Sequence, residues 1–79
     1  MAGSDADREY DATAYRVVEI IGTSPMSWEA AAQTAVHEAA KTHKDLRIAE
    51  ITKLDIKIED NRIVSYRVRL TLSFKPNHL

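Results

Sequence analysis

The chain has no cysteine, only two glycines and two prolines, and only one tryptophan, one phenylalanine and three tyrosines among its 79 residues. Without cysteine, neither a disulfide framework nor a thiolate metal site can supplement the core. A chain this short removes only about 60% of its unfolded surface from water, so self-association would help it. No uninterrupted apolar run approaches the roughly 18 residues of a membrane span, and the start has neither the basic residues nor the apolar core of a signal peptide. The expected address is the cytoplasm, with no membrane partner. Charge of one sign is also scarce: the net charge is −1 and the pI about 6.3, which gives no long-range field to attract nucleic acid.

What is present reads as one α+β domain in the order β-α-β-β. Residues 1–14 carry Asp5, Asp7, Glu9 and Asp11 without apolar periodicity, and are expected to form a disordered acidic tail; the alternative is an acidic arm that binds a metal or a neighbouring subunit. The domain is expected over 15–75, with a short C-terminal tail at 76–79. Residues 15–21 (YRVVEII) are rich in β-branched types and predict a first strand ending at Gly22. Val18 and Ile20 fall on one face and Val17, Glu19 and Ile21 on the other, so both faces are partly apolar. One helix can cover only one of them, which points to a partner subunit on the second.

Gly22 is expected to relax the backbone for a turn. Ser27 is the preferred N-cap, with Glu29 in the first turn, and Ser24 followed by Pro25 is the alternative start. Residues 28–43 predict a helix with alanine at 30, 31, 32, 35, 39 and 40, a stripe small enough for a sheet to approach closely. His37 and His43 are read as solvated helix surface. Residues 46–59 form a long strand whose apolar parity changes, odd at Ala49 and Ile51 but even at Leu54, Ile56 and Ile58. That switch predicts a bulge between Thr52 and Leu54, with the second half reaching toward a neighbouring subunit. Asp60-Asn61-Arg62 predicts a hairpin turn, and 63–75 alternates throughout, with Val64, Tyr66, Val68, Leu70, Leu72 and Phe74 toward the core.

No serine or lysine has an evident base beside it, and no HExxH motif or paired ligand histidines occur, so catalysis is not expected. The polar sheet face remains. There Glu50 and Thr52 share a side with Arg67 and Arg69, either as a ladder of cross-strand ion pairs or as the lining of a ligand pocket.

The strand YRVVEIIGTSPMSW leading into an alanine-rich helix, the strand opening LRIAEI, and the closing SYRVRLTLSF together resemble the dodecins. That resemblance, over residues 15–75, implies a three-stranded antiparallel sheet wrapped around one helix. It also implies assembly into a hollow homododecamer that stores or sequesters flavin (FMN or riboflavin) without turnover. In the family the flavin ring stacks on a tryptophan and bonds to a glutamine. Those positions fall here on Ile48 and Arg67, with Glu50 beside them, so flavin binding is expected to be weakened or lost. Asp55 stands where bacterial members often carry arginine. This pattern is similar to the calcium-binding subgroup, making calcium a second candidate ligand and Asp55 its candidate ligand residue. A purely structural oligomer is the remaining alternative.

Overall fold

The computed structural model describes residues 12 and 14–75; the expected tails fall almost wholly outside them. Four elements follow in the expected order: β1 (Arg16–Ser24), α1 (Trp28–Ala39), β2 (Leu46–Glu59) and β3 (Arg62–Phe74). All pairing is antiparallel, and β3 lies between β1 and β2. The long alternating strand is therefore the centre of the sheet, and its buried side chains Val68, Leu70 and Leu72 form the floor of the core.

The helix is held down by small side chains. Ala31, Ala35 and Ala39 are buried against the sheet, with Ala32, Val36, Val18 and Ile20 packed around them. Gly22 makes this approach attainable in a way the sequence reading missed. It does not end the first strand, which runs on to Ser24, and its φ is not positive. Its role is to leave space, because a Cβ there would collide with the Ala31 carbonyl oxygen and lie 2.9 Å from the Ala35 Cβ.

The helix starts as expected. Ser27 is extended and its hydroxyl accepts from the Ala30 N–H at 3.0 Å, while Ser24 accepts from the Met26 N–H at 2.9 Å and shapes the preceding turn. Regular helix ends at Ala39 rather than at residue 43, since the amides of Lys41 and Thr42 bond three residues back, to Glu38 and Ala39. Such tightening occupies carbonyls that a longer helix would have used. Asp45, at φ 60°, then turns the chain into β2. His43 is not simply solvated: it lies 4.7 Å from the Phe74 ring and is half-buried.

The bulge occurs one residue before the span the parity change indicated, as a register shift between Ile51 and Lys53; two further shifts lie near the ends of β2. Asp60 and Asn61, at φ 53° and 61°, form the hairpin turn, a conformation these short polar side chains tolerate. Gly22→Ala is expected to lower stability by about 1–3 kcal/mol through overpacking, and Ser27→Ala by about 1 kcal/mol through the lost cap. Urea titrations at one fixed protein concentration measure both.

Candidate functional site

The sheet presents two faces of different character. On the helix side, Ala49, Ile51, Leu54 and Ile56 of β2 pair with Leu72, Leu70, Val68 and Tyr66. The helix packs on β1 and β3, so β2 is left bare: Ile51, Leu54 and Ile58 are half-exposed or more. Between the helix start and this strand runs an apolar groove of about 390 Å³ lined by Trp28, Glu29, Ala32, Ile51 and Leu54. Trp28 is fixed at its edge. Its indole N–H donates to the Asp55 carbonyl at 3.2 Å and its ring meets Tyr66 edge-on at 5.2 Å. The helix start is thereby tied to the far strand.

The opposite face holds the residues singled out from the sequence. Across β1, β3 and β2, its rows are Val17–Ser73–Ile48, Glu19–Thr71–Glu50, Ile21–Arg69–Lys53 and Thr23–Arg67–Asp55. Arg67 and Asp55 are brought together. The guanidinium donates from Nε to Oδ1 at 2.8 Å and from Nη2 to Oδ2 at 3.2 Å, so both carboxylate oxygens are engaged. Glu50 lies two rows from Arg67, opposite Thr71, and Ile48 one row further, opposite Ser73. The expected ladder pairing Glu50 with the arginines is therefore corrected: the bulge takes Thr52 out of the ladder, its hydroxyl donates to the Arg69 carbonyl at 3.2 Å, and Lys53 and Asp55 take the outward positions. The parity change in 46–59 carried that signal; Lys53 was the residue left unread.

Hydrogen bonds from Arg67 hold the Asp55 carboxyl below its ordinary pKa, opposed by desolvation and assisted, to a smaller extent, by the charges of Arg67, Lys53 and Arg69. Asp55 in turn raises Arg67. These arrangements decide what the face can hold. A flavin ring finds no aromatic platform at Ile48, which is aliphatic and 66% exposed, and Arg67 is already committed to a carboxylate. The described residues of a single chain do not fit calcium either: no group of three or more His, Asp or Glu converges among them, and Asp55 has both oxygens on Arg67. Calcium needs six to eight oxygen ligands.

One helix laid over part of a three-stranded sheet, with an apolar strand and a charged outer face left open, defines a small βαββ binding fold. The chain belongs to the dodecin family, whose family model matches residues 14–77. It is 43% identical over 61 residues to the calcium dodecin of Mycobacterium tuberculosis, covering 77% of this chain and 86% of that one. The solved structure of dodecin from Streptomyces coelicolor superposes with a TM-score of 0.80 at 35% identity, over 84% of this chain and 94% of that one. A structure from M. tuberculosis described as a calcium chelating immunodominant antigen, calcium dodecin, gives 0.74 at 40% identity, over 82% and 93%.

Because the folded pKa of Asp55 is depressed, the pair's contribution to stability is present above the ordinary carboxylate pKa and is lost as pH falls through the depressed value. An NMR titration is expected to place the Asp55 midpoint below the usual range in the native chain and to return it upward in Arg67→Gln. An unchanged midpoint would mean that the pair does not persist in solution.

Proposed function

We propose that this dodecin is the subunit of a homododecameric, non-catalytic, cytoplasmic shell that sequesters a small ligand between its copies, with flavin affinity weakened or lost. The observation that carries the reading is the exposed apolar surface. Twelve large hydrophobic residues are exposed among the described residues, whereas half of the six buried hydrophobic ones are alanine. Val17 and Ile21 on one side of β1, and Ile51, Leu54 and Ile58 on the opposite side of β2, face solvent at 45–65%. A single subunit cannot cover both, and apolar area of this extent on two faces marks contact with other copies.

The weakened flavin affinity follows from Ile48 and from the Arg67–Asp55 pair. An aromatic platform contributes about 1 kcal/mol beyond its buried area, several-fold in affinity, and an aliphatic side chain does not replace it. A calcium-chelating assembly is the second reading. Its support is the 43% identity to a calcium dodecin, and its ligands would have to come from several copies at a symmetry axis.

Light scattering on purified protein is expected to return the mass of a homododecamer; a monomer in dilute solution would end the proposal. At matched concentration the native chain is expected to leave riboflavin fluorescence unquenched, while the double variant Ile48→Trp, Arg67→Gln quenches it. A melting temperature raised by calcium and restored by a chelator would move the preference to the second reading.

A further inference from the structure

Asp55 is gripped at two places by two different elements. Its carboxylate meets the Arg67 guanidinium on the outward face at 2.8 and 3.2 Å, and its backbone carbonyl accepts from the Trp28 indole N–H at 3.2 Å. The indole is itself held edge-on against Tyr66, the residue that precedes Arg67 in β3 and pairs with Ile56. β2 has particular need of such a tie. It lies at an edge of the sheet, it carries the bulge between Ile51 and Lys53, and, unlike β1 at the other edge, it has no helix packed on it. Among the described residues the indole–carbonyl bond is the one hydrogen bond from α1 to β2. A bulge bends its strand and increases the local twist, whereas the two parallel bonds of a guanidinium on a carboxylate demand a fixed mutual orientation.

We propose that Trp28 is the positioning residue of the Asp55–Arg67 pair: its indole N–H sets the rotation of β2 beyond the bulge, so that the state of the ion pair on one face of the sheet is coupled to the seating of the helix start on the other. The proposal rests on the reading that this pair closes the Arg67 position to a flavin ring, and it names the residue that keeps the pair closed. Coupling of this kind is reciprocal. Loss of the indole bond lets β2 turn and takes the carboxylate off the guanidinium, and a ligand that draws Arg67 away frees a rotation that Trp28 must follow, at the rim of the apolar groove. The charged groups that act on the Asp55 carboxylate are Arg67 and Arg69 of β3 and Lys53 of its own strand. The indole carries no charge, so it reaches the titration of that carboxylate only through geometry.

Trp28 is the chain's only tryptophan, so its indole N–H gives a single NMR signal. In the native chain that signal is expected to move with pH at the same midpoint as the Asp55 carboxyl, and in Arg67→Gln the two midpoints rise together. Trp28→Phe keeps a ring beside Tyr66 but loses the donor, and the Asp55 midpoint is expected to shift upward, toward the usual carboxylate range. Replacing Trp28 by β-(3-benzothienyl)alanine, which keeps the shape of tryptophan with sulfur in place of the N–H, is expected to give the same shift with an unchanged circular dichroism spectrum. A purely structural role would lower the urea midpoint of Trp28→Phe and leave the Asp55 titration as in the native chain, which overturns the proposal. An indole signal that stays still through the Asp55 titration of the native chain overturns it as well, and that measurement decides if Trp28→Phe does not fold. The ligand reading fails separately: an Ile48→Trp, Arg67→Gln chain that leaves riboflavin unquenched counts against that reading, while the paired midpoints of Trp28 and Asp55 stand or fall on their own.

Discussion

The structure depends on how close one helix can come to one pair of strands. Gly22 supplies no side chain where the Ala31 carbonyl and Ala35 press on β1, and the alanine stripe lets the helix sink until Val68, Leu70 and Leu72 are sealed. Helix diameter with side chains is about 10–12 Å, whereas three strands spaced about 4.8 Å apart present a wider surface once side chains are added. Centred by its small residues over β1 and β3, the helix cannot also cover β2. The bare apolar strand and the groove beside Trp28 both descend from that mismatch in width. A bulkier stripe would raise the helix and uncover the floor of the core, so the tight seam and the open strand arise together.

One extra residue sets the chemistry of the other side. Had β2 kept its parity through Thr52, Leu54 would point outward and Asp55 toward the helix. The bulge reverses this. It gives Leu54 to the helix side and places Asp55 on Arg67 with a two-point contact, the planar geometry for which a guanidinium is suited. The same reversal puts Lys53 beside Arg69. Exposed pairs of this kind add little stability; what they determine is which charges remain to meet another molecule.

Element order, the cap at Ser27, the bulge and the hairpin turn were legible because each has a local signature: a hydroxyl before a helical run, a parity change, two residues able to adopt positive φ. The α+β class and the family resemblance were legible for the same reason. The purpose of Gly22 was not, since its cause lies in Ala31 and Ala35 on the next element, and a glycine that leaves room looks in sequence like one that turns. The partner of Arg67 was equally hidden. Which of Glu50 or Asp55 stands opposite depends on the register across a bulge, and only the pairing with β3 fixes that. Ile48 and Arg67 were found as positions through resemblance, while the commitment of Arg67 to a carboxylate of its own chain came from geometry alone.

The two faces of this sheet carry different chemistry. The apolar residues of β2 that call for cover point toward the helix side, whereas Ile48, Asp55 and Arg67 point away from it, so substitution in the second set leaves the first intact. A lone arginine in the centre of that outward face would be an uncompensated charge. Replacing a neutral hydrogen-bonding side chain by arginine would add such a charge. An aspartate at the cross-strand position removes it within the same row, because each carboxylate oxygen receives one guanidinium N–H. Asp55 and Arg67 thus act as one unit in physical terms: each makes the other tolerable, and together they form a closed ion pair.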